Sequence, residues 1–432
     1  MADKKSPPLA RAVALDLLEA VLRRGRPLDD AIPGHPGFAD LEVRDRAFAR
    51  LLAATTLRRL GQIDAVIDAA LERPLPGKAQ GVRDILRLGA VQLLFLDTPP
   101  HAAVATAVDL AQARKHGPHK KLVNAVLRRL GRQGRALAEA QDAARLNTPD
   151  WLWEAWVKAY GEPTCRRIAE AHLSEAPLDI TVKEDAAGWA KKLDARILPA
   201  GSLRRPPGGT VTDLPGFGEG AWWVQDAAAA LPVNLLGGVS GRRVIDLCAA
   251  PGGKTAQLAN RGAFVTAVDR SEKRLARLSE NLGRLSLTAE LIAADAATWR
   301  PSQLADMVLV DAPCSATGTI RRHPDVARLK KPDDMAKLTG VQDRLLTAAL
   351  EMTAPGGTIV YCSCSLQPQE GPERIESLIG AGGVATREPV KPTEVGGMKE
   401  LISAEGDLRT LPCHLPEQGA MDGFYAARLI KT

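Results

Sequence analysis

Two short stretches in the last third of this 432-residue sequence carry thiols at positions where they could react. Asp311-Ala-Pro-Cys314 follows an apolar run, Met307–Val310, that reads as a buried strand. Tyr361-Cys362-Ser363-Cys364-Ser365 closes a second such run. Carbon 5 of a pyrimidine has no lone pair with which to take a methyl group, so it must be activated. Thiolate attack at carbon 6 does this: the adduct is an enamine whose carbon 5 accepts a methyl cation, and a base then removes the carbon-5 proton so that the thiol can leave. Such a site needs a cysteine and hydrogen-bond donors along the N3 edge of the base. Cys362 and Cys364 are two apart on a strand or its end, a spacing that lets both face one way. Paired thiols in a core strand are also common small apolar filling, and only the presence of Cys314 in the same region weighs against that plainer reading.

A third stretch could hold a cofactor. Arg243–Leu247 reads as a buried strand, Ala256 onward as a helix, and Cys248, Ala249, Ala250, Pro251, Gly252, Gly253 and Lys254 join them. Glycines in such a turn let backbone approach a ligand closely, and the helix N-terminus leaves free N–H groups pointing into the crevice. The phosphate-binding pattern G-x-x-x-x-G-K-[ST] nearly fits, but Cys248 stands at its first glycine; the dinucleotide pattern G-x-G-x-x-G does not fit. A pocket for S-adenosylmethionine (AdoMet) demands an acid at the tip of the next strand for the ribose hydroxyls. Phe264–Val268 ends in Asp269, 23 residues after Asp246, close to the expected spacing. A buried turn with no ligand is the alternative; Asp269 decides for AdoMet.

The elements that must position these residues alternate regularly from residue 241: strands at 244–247, 264–268, 289–292, 307–310 and 358–362, with helices at 254–260, 271–285 and 339–353. This alternation predicts an α/β fold with a parallel, doubly wound, Rossmann-like sheet, whose ligands sit beyond the carboxyl ends of the strands. Cys248, Asp269, Asp295, Asp311 and Cys314 all follow strand ends. Ahead of this domain (236–432), residues 141–235 read as a linker helix and a small α+β module. Strands are expected at 178–182, 195–198 and 210–214, a helix at 186–193, and a loop at Arg204–Gly209 whose Arg204 and Arg205 either reach a phosphate backbone or merely flank it. Thr148 or Asp150 is expected to cap the linker helix, whose Trp151, Trp153 and Trp156 either stack on bases or, more often for such clusters, pack a junction. Residues 1–140 read as helix after helix, with apolar residues at helical spacing in 9–24, 45–60, 63–71, 81–95, 101–114 and 119–132.

Composition narrows the class. Hydrophobic residues at 45% and charged residues at 25% are ordinary for a globular protein, and no apolar run is long enough to span a membrane. Met1–Pro8 is polar, with no apolar leader. The six cysteines are scattered and form no C-x₂-C pair, which argues against a disulfide framework or a zinc site and for reduced thiols in the cytoplasm; no metal is expected. The net charge of +6 is uneven. Residues 1–140 hold 23 Lys+Arg against 15 Asp+Glu, net +8, leaving 34 against 36 elsewhere, net −2. A basic front third suits a polyanion such as RNA, or is a solvated surface with no partner; charge alone leaves both open.

The Asp311-Ala-Pro start resembles the Asn/Asp-Pro-Pro-Tyr loop of amine methyltransferases, but Cys314 at the fourth position points to a carbon acceptor instead. With the later thiols in view, residues 220–430 resemble the RNA cytosine-C5 methyltransferases of the nucleolar-protein/Sun family. The matching motifs are Asp246–Thr255, Asp311–Thr319 and Tyr361–Ser365, extended by Gly356-Gly357 and Met421–Arg428. The front, roughly residues 5–135, resembles the NusB family of small all-helical RNA-binding domains through Arg44–Leu51, Leu86–Phe95 and Val123–Arg129. Together these resemblances imply an AdoMet-dependent enzyme that forms 5-methylcytosine in small-subunit (16S) rRNA; a cytoplasmic monomer is expected. The same chemistry on tRNA or another RNA is the near alternative, and a non-catalytic RNA-binding assembly factor is the distant one. In the family the nucleophile lies in the later motif, usually Thr-Cys-Ser, which matches Ser363-Cys364-Ser365. The loop cysteine, here Cys314, assists product release, whereas DNA enzymes use the loop cysteine as nucleophile. Ser363 in place of Thr and the additional Cys362 depart from the pattern. The resemblance also implies AdoMet contacts at Cys248–Lys254, Asp269, Asp295 and Asp311, with Asp311 and Lys254 beside the reacting base.

Overall fold

The structure, a computed structural model, describes residues 9–380 and 382–432; the polar start Met1–Pro8 lies outside them. Packing divides the described chain into two compact units. One comprises the residues up to Ser174 together with Ile320–Lys331, the other Glu175–Thr319 together with Pro332–Thr432.

The first unit is helical. Its long helices are Leu9–Leu22, Val43–Arg58, Leu60–Ala70, Gln80–Leu94, Pro100–Ala113 and Lys120–Glu139, followed by Asp150–Tyr160 and Glu162–His172. The 3.6-residue apolar period places Val13, Leu17, Leu18 and Val21 in one core with Leu52, Ile63, Ile85, Leu127 and Leu130. Segment 320–331 belongs to this unit although it is numbered far along the chain. Leu28 N donates to Asp325 Oδ2 at 2.9 Å, Arg58 to the Arg321 carbonyl at 2.7 Å, and Arg328 to the Asn147 carbonyl at 2.9 Å.

One local expectation fails here, one helix is added, and one open reading is decided for packing. Helix Asp150–Tyr160 has Pro149 at its N-cap and no side-chain cap, because Thr148 Oγ1 donates back to the Ala144 carbonyl at 2.8 Å and Asp150 is paired with Arg145. Helix Glu162–His172 is additional; Gly161, at φ +75°, ends one helix and begins the next. Trp156 is no base-stacking platform, being fully buried and edge-on to His172 at 5.5 Å between ring centroids.

The second unit begins with a four-stranded antiparallel sheet of β1 (Leu178–Val182), β2 (Arg196–Ile197), β3 (Leu203–Arg205) and β4 (Trp222–Val224), in the order β2-β3-β1-β4. Arg204, expected in a loop that either reaches phosphates or does not, lies instead in β3. Its side chain is buried and clamps Asp179 through Nε (2.6 Å) and a terminal nitrogen (2.7 Å). A charge this deep persists only because it is paired. Within 210–214, Val211–Asp213 forms a short 3₁₀ turn in place of the expected strand.

The larger sheet contains β5 (Arg243–Leu247), β6 (Phe264–Asp269), β7 (Glu290–Ala293), β8 (Ala305–Asp311), β9 (Thr353–Ser363), β10 (Ala385–Arg387), β11 (Leu408–Thr410) and β12 (Phe424–Lys431). Its order is β10-β12-β9-β8-β5-β6-β7, with β11 beside β12. The five strands from β9 to β7 are parallel, giving the expected doubly wound, Rossmann-like α/β core. β12 departs from that pattern: it runs antiparallel between β9 and β10, pairing Tyr425 with Ser363 and Ala426 with Cys362. The strand order reverses between β5 and β8, where Leu247 pairs with Val310, so the carboxyl ends of these two strands open the crevice that ligands use in such sheets. Among the described residues, no helix is long and apolar enough to cross a membrane.

Candidate active site

Every side chain singled out for chemistry except Asp295 lies in or beside this crevice. At its floor, Asp246 in β5 is buried; its Oδ2 accepts from Thr255 Oγ1 at 2.6 Å, while Oδ1 has no partner. Burial, only partly offset by Thr255, pushes this carboxyl up to about 7. Beyond β5 the chain turns sharply. Cys248 adopts φ +62° and Gly252 φ +101°, and a Cβ on Gly252 would come within 2.6 Å of Leu278 Cγ, so this position requires glycine on both counts. Helix Gly253–Asn260 then begins, its N-terminus facing the crevice.

Asp269, at the end of β6, is 2% exposed and accepts from Ala250 N (3.2 Å) and Ser271 N (2.9 Å), with Arg274 3.4 Å from Oδ2. A carboxylate has about four lone-pair sites, so Asp269 keeps capacity for two hydroxyls. Burial and then Asp311, Asp269 and Asp246 push the Cys248 thiol up to about 12. A cradle of this kind can hold AdoMet: Asp269 has acceptor capacity left for ribose hydroxyls, the Cys248–Lys254 turn offers backbone to an amino-acid end, and an unpaired buried oxygen of Asp246 lies beneath. Asp295 is exposed after β7, where its Oδ1 accepts from Ala297 N at 3.0 Å; its neighbour Ala294 donates to the Asp269 carbonyl at 3.2 Å.

On the other side of the crevice, Lys254 Nζ donates to Asp311 Oδ2 at 2.7 Å and lies 5.0 Å from the centre of the Phe424 ring. Burial works against the Lys254 charge, but Asp311 outweighs it and holds the ammonium protonated beyond its usual range. Cys314 and Cys364 face each other with 3.4 Å between sulfurs. The hydrogen bond to Cys364, then burial, raises the Cys314 thiol well above its ordinary value. Cys362 is fully buried and donates to Asp311 Oδ1 at 3.6 Å, whereas Cys364, just past the strand end, is partly exposed. Burial, reinforced by Asp311, keeps Cys362 a neutral thiol. Of the two thiols in that motif, only Cys364 combines access with a thiol partner.

The loop that carries Cys314 is held close to the chain termini of two strands. Gly318 N donates to the Cys364 carbonyl at 2.9 Å, and Gly423 N to the Gly318 carbonyl at 2.8 Å. A Cβ on Gly318 would come within 1.9 Å of the Gly423 carbonyl oxygen.

One buried group here carried no local signal in the sequence. Glu370 is fully buried and accepts from Ser315 N (2.8 Å), Ser315 Oγ (2.5 Å), Ser365 Oγ (2.6 Å) and Gln342 Nε2 (3.1 Å). Its main partner Ser315 lies 55 residues earlier in the chain. Only the serines that follow each cysteine hinted at a polar network. Among the described residues, no group of three or more His, Cys, Asp or Glu side chains is placed to hold a metal ion.

Comparison with known proteins shows the family and the fold. A family model described as 16S rRNA methyltransferase RsmB/F matches residues 233–430, and the NusB family model matches residues 8–132. Proteins named ribosomal RNA small subunit methyltransferase B from Vibrio cholerae serotype O1 and Vibrio vulnificus are 36% and 35% identical. Each alignment covers 98% of this chain, and 97% and 99% of the respective relatives. Among solved structures, PH0851 superposes with a TM-score of 0.75 at 22% identity, covering 97% of this chain and 98% of that one, a likeness of fold. A methyltransferase homolog protein from Pyrococcus horikoshii gives 0.56 at 26% identity over 67% of this chain and 98% of its own.

Proposed function

This chain belongs to the 16S rRNA methyltransferase RsmB/F family, and from that premise we propose that it forms 5-methylcytosine in small-subunit rRNA through a covalent adduct between Cys364 and carbon 6 of the base. It is an AdoMet-dependent methyltransferase. The observation that carries the finer reading is the meeting of two thiols, 3.4 Å apart, at the ends of strands that also present the Lys254–Asp311 pair and the glycine cradle.

AdoMet, held by Cys248, Ala249, Ala250, Pro251, Gly252, Gly253, Asp269 and Asp311, would supply an electrophilic methyl carbon. The rest of the chemistry falls to side chains of this chain. Lys254 can donate and Asp311 accept along the polar edge of a cytosine; donation toward N3 draws charge from the ring and favours attack at carbon 6. The Cys364 thiolate forms the S–C6 bond, and carbon 5 gains the nucleophilic character needed to take the methyl group. The carbon-5 proton must then leave, its bonding electrons restoring the double bond as the S–C6 bond breaks and the Cys364 thiolate returns.

Cys314 is the group assigned to this elimination. Before attack, Cys364 keeps the Cys314 proton in place, since that hydrogen bond is the largest cause of its raised proton affinity. Once Cys364 is a thioether the largest of these causes is gone, which shifts Cys314 toward the thiolate that acts as base, although burial and Glu370 still oppose its ionisation. The basic helical front, including the exposed Lys121, Arg128 and Arg132 of helix Lys120–Glu139, is assigned to gripping the RNA backbone of the substrate.

Bisulfite sequencing of rRNA and tRNA from cells with and without the gene tests the assignment. Loss of one protected cytosine in small-subunit rRNA is the expected result; loss confined to tRNA, or to no RNA, would overturn it.

A further inference from the structure

The Glu370 carboxylate takes four hydrogen bonds, and they converge from both thiol-bearing segments. Oε1 accepts from Ser315 N and Gln342 Nε2, and Oε2 accepts from Ser315 Oγ and Ser365 Oγ. Ser315 follows Cys314 and Ser365 follows Cys364. Gln342 also donates to the Pro313 carbonyl at 3.0 Å, so both neighbours of Cys314 are tied to the same point. The main-chain carbonyl of Glu370 meanwhile accepts from Tyr361 and Ser363 hydroxyls, each at 2.9 Å, which fixes Glu370 itself against β9. All of these side chains are buried. Among the described residues, the hydrogen bonds to the carboxylate come from neutral groups, Ser315, Ser365 and Gln342, and no cation pairs with it at contact distance. Such an arrangement is costly unless geometry is served by it.

We propose that Glu370 is a positioning residue for the methyl-transfer reaction: its carboxylate draws the Cys314 loop and the Cys364 segment onto one point and thereby sets the distance between the two thiols. This rests on the two-thiol reading above. The carboxylate touches neither AdoMet nor the base, and acts through Ser315 and Ser365. Its charge adds a second effect: after Cys364 and burial, Glu370 helps keep the Cys314 proton in place.

The distance can be read without turnover. With sulfurs 3.4 Å apart, treatment of the full chain with diamide should join Cys314 and Cys364. Two thiols lose two protons and two electrons, the electrons reducing the azo group to a hydrazine. In Glu370→Gln an amide N–H must face the donors that the carboxylate accepted, so the two segments part. The disulfide, mapped by peptide mass spectrometry, should form at least tenfold more slowly. A displacement of about 1 Å costs on the order of 100-fold in kcat, while AdoMet affinity and the KM for RNA should stay within about twofold, since the cradle residues do not touch Glu370.

Ser365→Ala, which removes one donor and leaves the carboxylate with three, should slow both disulfide formation and turnover by a smaller factor. It also decides the matter should Glu370→Gln fail to fold. Wild-type disulfide rates in the folded variants would overturn the clamp, as would losses confined to AdoMet binding. Failure of the two-thiol reading looks different: Cys314→Ala would then accumulate no protein–RNA adduct, whatever Glu370→Gln does to the disulfide rate.

Discussion

The cofactor cradle and the thiol site lie in one crevice but are built by opposite means. The cradle, between β5 and β6, is made of main chain: N–H groups of Ala250 and Ser271 fix Asp269, and a turn with two positive-φ residues brings backbone to the ligand. The thiol site, beyond β8 and β9, is held by side chains reaching across the chain, with Glu370 at their centre. A cradle of backbone needs particular residues only where sterics demand them, so it leaves a compact motif. A site of converging side chains leaves its cysteines visible and its supports scattered.

The largest break expected between the two regions comes from Cys364→Ala. Methyl transfer should vanish, because no other group can form the carbon-6 adduct, while AdoMet binding by calorimetry should stay at the wild-type level. The converse follows from Asp269→Ala. Losing a charged hydrogen-bond partner should weaken AdoMet by about 1.5–3 kcal/mol, yet diamide should join Cys314 and Cys364 as fast as in the wild type. If the disulfide rate falls together with AdoMet affinity, the two regions are not separable.

A smaller effect concerns Asp246, beneath both. Burial raises its carboxyl to about 7 in the folded protein, above the unfolded value, so the folded state holds the proton more tightly. The associated stability is fully present below the unfolded pKa and is lost as pH rises toward 7. Without cofactor, Asp246→Asn should therefore raise the Tm more at pH 8 than at pH 5; an equal shift at both would show that Asp246 does not titrate in that window. Smallest of all is Cys362→Ala, which should keep activity and cost about 1 kcal/mol of stability, read from a denaturant midpoint.

The same contrast governs what the sequence discloses. Helical periods in 9–132 and the strand–helix alternation from 241 mark the elements well, because burying a face imposes its spacing on a contiguous stretch. The antiparallel course of β12 was not legible: apolar Phe424–Ile430 reads the same in either direction, and only its insertion between β9 and β10 fixes the sense. Nor was the membership of Ile320–Lys331 in the helical unit, which depends on partners such as Leu28 and Asn147 far along the chain. Arg204 misled for a related reason: an arginine beside Pro-Pro-Gly-Gly has the composition of a loop, and its buried partner Asp179 lies 25 residues earlier. In the crevice, the placement of Cys248–Lys254, Asp269, Asp311, Cys314 and Cys364 was legible because each ends or follows a strand. Glu370 was not, since nothing local distinguishes it from a surface glutamate.

The division of labour between the thiols is the central claim, and one gel tests it. Cys314→Ala, incubated with AdoMet and substrate RNA and then denatured, should carry the RNA covalently through Cys364, because attack and methylation proceed while elimination is blocked. The double variant with Cys364→Ala should show no such band. A band that persists with Cys364→Ala and disappears with Cys362→Ala would move the nucleophile to Cys362. A band accumulating in Cys364→Ala alone would reverse the roles and contradict the account.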